Sequence, residues 1–147
     1  MNYKVRTNEE LLNEQLTPHF KRSEFACNCK GKYCSPRHMN IDLRLVDICE
    51  VIRQYVDKPI RISSGCRCAI WNKLQGGVAD SSHCVGFAAD LCCAIGGKAL
   101  FVAIQDLYKQ GLISNLRYCL YYIKSDFCHI DIDVNKKRNN IFATINK

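Results

Sequence analysis

No stretch of this chain approaches the roughly 20 consecutive apolar residues needed to cross a bilayer, so a membrane-spanning helix is not expected. The opening residues, Met1 to Glu10, lack the apolar core and small-residue cleavage site of a secretory leader, which points to synthesis in a cytoplasm without a signal peptide. Internal repeats, low-complexity tracts and linker-like segments are missing as well, and no shift of composition splits the sequence. A single domain over 1–147 is therefore expected, with 1–16 as an N-terminal helical extension and 17–147 as the core. Aromatic residues are absent around the one basic cluster, Lys136-Lys137-Arg138, which removes the stacking partners of a nucleic-acid arm. That cluster reads as a solvated turn, and no nucleic-acid partner is expected.

The 147 residues are 48% hydrophobic, enough to bury a core without covalent staples. The formal charge of +7 favours an anionic partner. Eleven cysteines are many, but the number is odd and most sit inside apolar segments such as Leu91-Cys92-Cys93-Ala94. A secreted disulfide framework would more often show an even count behind a leader. Cys49, Cys92, Cys93 and Cys119 are read as small buried hydrophobes.

Periodicity supplies the elements. Residues 8–16 look helical, capped by Asn8 and ended by Thr17-Pro18. His19 to Pro36 has no sustained period and reads as a loop that needs a tether. From Asn40, the residues Ile41, Leu45, Ile48, Cys49, Ile52 and Val56 recur at intervals of three and four and predict the main core helix. A strand is expected at Ile60 to Ser63, a short helix over 69–75, a buried strand from Phe87 to Ala94 and a second long helix over 98–110 closed by Gly111. The last third reads as strands: Arg117 to Ile123, Cys128 to Val134 and Ile141 to Ile145. In the middle one, His129, Asp131 and Asp133 share one face, and Ile130, Ile132 and Val134 share the other. One face meets the core and the other lines a cleft.

The chemistry concentrates in Ser81-Ser82-His83-Cys84-Val85-Gly86-Phe87-Ala88-Ala89-Asp90 and in Asp126-Phe127-Cys128-His129. A catalytic zinc is usually held by three protein ligands with a fourth position left to water. His83, Asp90 and His129 make such a set, and Asp126 remains as a base for the water. His83 and Asp90 are seven apart with Gly86 between them, a loop entering a strand rather than one helix face.

Ser81, His83, Gly86, Ala88 and Asp90 match the SxHxxGxAxD signature, and the chain thereby resembles the zinc D-alanyl-D-alanine carboxypeptidase family. That family includes D-Ala-D-Ala dipeptidases, phage L-alanyl-D-glutamate endolysins and, as a relative, the hedgehog signalling domain. Asp126-Phe127-Cys128-His129 resembles its second element, an acidic residue three before the last zinc-binding histidine. The resemblance also takes in Thr17-Pro18-His19-Phe20, Ser23-Glu24-Phe25, Pro59 to Gly65, Arg67-Cys68, Asn72, Gly76-Gly77 and His129-Ile130-Asp131, and is strongest to small phage-type peptidases.

It implies an α+β domain with a central antiparallel sheet, helices mainly on one face and the zinc cleft on the other. It also implies a zinc ion on His83, Asp90 and His129, and Asp126 as general acid–base. Arg67 would stabilise the oxyanion or grip a substrate carboxylate, and Ser81 would orient a ligand or touch substrate. Asp131 is the rival base, with a role in supporting the metal or binding substrate preferred. The family often carries an aromatic residue where this chain has Cys66.

The implied reaction is hydrolysis of a peptide bond in peptidoglycan stem peptides by a monomer, as carboxypeptidase or endopeptidase. It would take place at the bacterial wall after release or as part of a phage particle. The alternative is a zinc-containing wall-binding module that does not cleave. Cys27, Cys29 and Cys34 are read first as packing and next as a disulfide. A second, structural zinc completed by Cys68 or Cys66 comes last, because the Cys27–Cys29 spacing is tighter than the usual knuckle. His19 and His38 read as structural or exposed.

Overall fold

A computed structural model describes residues 5–147. Two long helices form where the apolar stripes predict them. The first is Leu43–Val56, started by Asp42, whose carboxylate accepts from Arg44 N at 2.9 Å. The second is Gly97–Lys109, followed by Gly111 at φ 73°. With the short Asn8–Leu12 and Ala69–Leu74, these are α1 (Asn8–Leu12), α2 (Leu43–Val56), α3 (Ala69–Leu74) and α4 (Gly97–Lys109).

The strands are β1 (Gln15–Thr17), β2 (Phe20–Lys21), β3 (Ile60–Ser64), β4 (Ala88–Cys93), β5 (Tyr118–Tyr122), β6 (Phe127–Asp131) and β7 (Phe142–Ile145). β1 and β2 make a small hairpin, and the others form one sheet in the order β3-β4-β6-β5-β7. The first four of that order pair antiparallel, as expected. β7 instead runs parallel to β5. The chain reverses after β6, but both edges of β6 are already taken by β4 and β5. It therefore docks one strand further out, where the reversal makes it parallel.

The core lies between the sheet and the pair α2 and α4. Leu45, Cys49 and Ile52 of α2, and Leu100, Ile104 and Leu107 of α4, pack with Ala89, Leu91, Cys119, Cys128 and Ile130 of the sheet. Strand alternation sends the neighbours of those sheet residues, Ala88, Asp90, His129 and Asp131, to the opposite face. α3 and a 3-10 turn at Ser82–Val85 belong to that second side.

One boundary and one pair of cysteines differ from expectation. The first helix ends at Leu12, and residues 15–17 pair with β2 as a short strand. Among the cysteines, Cys49 and Cys119 are fully buried, whereas Cys92 and Cys93 are only half-buried near the end of β4.

Gly86 fixes the approach to β4. It sits at φ 75°, its carbonyl accepts from Asp42 N at 2.9 Å, and a Cβ there would lie 2.0 Å from Asn40 O. The start of α2 and the turn before β4 are thus held together through a backbone contact that only glycine permits. Gly86→Ala is expected to cost about 2–3 kcal/mol. Gly111→Ala, also at positive φ but in open space, should cost about 1–2 kcal/mol. Denaturant unfolding of both variants checks the difference, and equal losses would show that the contact with Asn40 is not limiting.

Candidate metal centre

The β4–β6 register brings the site together. Asp90 stands opposite His129 and Ala88 opposite Asp131, so both acidic residues and the histidine point to the same side of adjacent strands. His83 arrives from the 3-10 turn, and Ser81, which caps that turn, accepts the His83 N–H on its hydroxyl at 3.3 Å. The ligand-type atoms of His83, Asp90 and His129 lie within 4.8 Å of one another. His83 Nε2 is 3.4 Å, and His129 Nδ1 3.0 Å, from the same atom, Asp90 Oδ1.

Each imidazole is oriented from behind. His83 Nδ1 donates to Gly65 O at 2.7 Å, which leaves Nε2 to face the centre. Gly65 can present that carbonyl because its backbone runs against Phe25, where a Cβ would meet Phe25 O at 2.6 Å. His129 Nε2 donates to Asp131 Oδ2 at 2.8 Å, which leaves Nδ1 for the centre. Asp131 is wholly buried and is gripped by Arg117 through Nε at 2.7 Å and NH2 at 2.9 Å. The order guanidinium, carboxylate, imidazole, centre is the support that a metal-binding histidine characteristically receives. Two imidazole nitrogens with fixed tautomers and one carboxylate oxygen, on a cleft, are a donor set that fits zinc with a position to spare.

Electrostatics agree with a cation at this place. Burial raises the pKa of Asp90, but hydrogen bonds from His129 and His83 outweigh it and hold the carboxyl well below the usual range. For His129 burial opposes the charge, while Asp131 and Asp90 more than compensate and push it up to about 9. Without metal, an imidazolium bridging two carboxylates supplies the positive charge.

The centre lies in a cleft of about 420 Å³. Its lining includes Arg67, Ser81, Tyr122, Phe127, Lys136 and Lys147 beside the residues above. Arg67 lies near the ligands: its Nε donates to Ser64 Oγ at 3.0 Å, NH1 to Asn72 Oδ1 at 3.3 Å, and NH2 is 3.5 Å from Asp90 Oδ2. Tyr122 and Phe127 stack with centroids 4.6 Å apart. Sequence reasoning missed Arg117, Tyr122, Phe127 and Lys136. Phe127 has the same strand parity as His129, and Tyr122 is its cross-strand partner, so parity alone would have placed both.

The pattern of the Peptidase M15 family matches residues 18–131. The chain belongs to that family. No curated protein matches it. Membership makes the chain a metallopeptidase of the zinc D-Ala-D-Ala carboxypeptidase type, and it spans both the His83–Asp90 element and His129.

Asp126 does not join the M15 cleft. It lies in the turn before β6, at φ 55°, and its side chain is on the α4 side of the sheet. There Oδ1 accepts from Gly97 N at 2.9 Å and from Tyr121 OH at 3.2 Å. It closes the N-terminus of α4, where a negative charge is favourable. Asp126, expected as the water's base, is not among the residues lining the cleft. Asp131, the rival, has both oxygens engaged by Arg117 and His129. His19 pairs with Glu50 at 2.7 Å and His38 Nε2 donates to Cys84 O at 2.8 Å, both away from the centre.

Asp131→Asn is expected to lower zinc affinity about 10–100-fold, measured by competition with a chromophoric chelator. Unchanged affinity would remove Asp131 from the support of His129. The raised pKa of His129 has a sign that can be read directly. Its contribution to the metal-free fold is complete below pH 6.5 and disappears as pH rises through about 9. Titration of zinc into this centre at pH 7.5, in buffers of different ionisation enthalpy, should therefore show release of about one proton per ion bound here. Release of none would place His129 outside the ligand set.

Proposed function

We propose that this chain is a zinc peptidase that cleaves the stem peptides of bacterial peptidoglycan. The observation that carries the reading is the convergence of His83, Asp90 and His129 with both tautomers set by separate buried partners. Bound there, zinc would supply Lewis-acid polarisation of a peptide carbonyl and acidify a water. Arg67, held by Ser64 and Asn72 at the edge of the centre, would bind a substrate carboxylate or the developing oxyanion. Ser81 would hold the turn that aims His83, and the Tyr122–Phe127 stack would give the substrate an apolar wall. Arg67, Arg117, Lys136 and Lys147 give the cleft a positive rim, which suits a stem peptide rich in carboxylates. Action at the wall after release from the cytoplasm, or from a phage particle, belongs to the same reading, as does a monomeric core over 17–147.

One observation favours a second reading, a zinc-containing wall-binding module without hydrolysis. Among the described residues lining the cleft the carboxylates are Asp90 and Asp131, and neither is free to take a proton from water.

Incubation with purified muropeptides, followed by mass spectrometry for new amines, separates the two. Wild type is expected to release fragments, and the masses identify the bond; wall binding without release would favour the module. Asp126→Ala is expected to lose about 0.5–2 kcal/mol of stability as a helix-end contact is removed, while hydrolysis persists. Loss of hydrolysis in a folded, zinc-loaded Asp126→Ala protein would return Asp126 to the base's role.

A further inference from the structure

A second group of ligand-type side chains begins one residue after Arg67. Cys68 precedes α3, and Cys27, Cys29 and Cys34 come from the stretch between Ala26 and Asp42, which holds no strand or α-helix. The four sulfurs all lie within 4.8 Å of one another. Cys29 Sγ and Cys34 Sγ are 3.4 Å apart, well beyond the roughly 2.05 Å of a disulfide. Four thiolates at about 2.3 Å from one ion, at tetrahedral corners, stand about 3.8 Å from each other. The sulfurs are thus already gathered at the scale of such a site.

Backbone donors are turned toward the group. Cys68 N donates to Cys27 Sγ and His38 N to Cys34 Sγ, each at 3.4 Å. Such bonds favour thiolate over thiol. Plain packing, the first expectation from sequence, asks for neither convergence on one point nor N–H groups aimed at sulfur. A stretch this long without regular structure also calls for something to hold it. Other ties join it to its surroundings, among them Asn28 Nδ2 donating to Ser63 O at 2.8 Å and Arg22 to Met39 O at 3.1 Å. Arg37 Nε donates to Cys27 O at 2.7 Å, and His38 bonds to Cys84 O beside His83.

We propose that Cys27, Cys29, Cys34 and Cys68 bind a structural zinc ion, distinct from the His83–Asp90–His129 centre, that fastens the Ala26–Asp42 stretch to the Gly65–Cys68 backbone. Soft sulfur donors in tetrahedral array suit zinc, and the thiols release their protons to solvent on binding. The site would brace the catalytic cleft from outside, because Gly65 orients His83 and Arg67 reaches Asp90. It does not depend on hydrolysis and stands even if the chain only binds wall.

Zinc per chain, measured by elemental mass spectrometry on protein purified under reducing conditions, tests the proposal. Wild type should hold two ions, His83→Ala one, and the double variant Cys29→Ser, Cys34→Ser one. Should the double variant fail to fold, His83→Ala refolded with cobalt decides alone. The thiolate-to-cobalt charge-transfer band and strong tetrahedral visible bands are expected, since only the sulfur site remains intact there. A single zinc in wild type that the cysteine substitutions leave in place, absence of the cobalt–thiolate band, or a Cys29–Cys34 disulfide in the reduced-buffer peptide map would overturn it.

Discussion

The pairing of β4 with β6 is the constraint on which the rest depends. It sets Asp90 beside His129 and Ala88 beside Asp131, while sending Ala89, Leu91, Cys128 and Ile130 into the core. A slip of one residue would exchange those two sets, burying carboxylates among leucines and exposing the apolar face. The hydrophobic pattern that stabilises the fold and the donor geometry that makes a metal site are therefore the same alternation, read from opposite sides. Selection for one preserves the other.

A chain of polar contacts then extends the site beyond its ligands. Arg117 holds Asp131, Asp131 holds His129, and Gly65 holds His83. Ser82 donates to Asp133 at 2.7 Å and also lies 3.4 Å from Arg117 NH2. Buried carboxylates are costly unless every oxygen is matched. Here the matching groups come from four separate stretches of chain, so the local order of the cleft is shared among β3, β4, β5 and β6 rather than belonging to one loop.

Much of this was legible in the sequence. The stripe from Ile41 to Val56, the alternation around His129 and the spacing of His83, Gly86 and Asp90 are local patterns, and local patterns predict local geometry. What was not legible is long-range. β7 pairs parallel with β5 because β6 has no free edge, a fact about order in the sheet that no segment carries by itself. Asp126 was expected at the centre from its spacing to His129; it lies in the turn before β6, at φ 55°, and its carboxylate reaches Gly97 N and Tyr121 OH instead. The four thiols at Cys27, Cys29, Cys34 and Cys68 were split by a sequence separation that concealed their proximity, and the fourth could be named only as one of two candidates.

The parallel docking of β7 has one more consequence. After β7 the chain folds back on the β5–β6 turn, where Lys147 O accepts from Lys124 N at 2.7 Å and from Ser125 N at 3.1 Å, and Lys147 becomes part of the cleft wall. Residues appended after Lys147 would start at the rim of the site. A purification tag or fused partner placed there would stand in the path of an incoming ligand, whereas one attached before α1 would begin from an element that lines no part of the cleft.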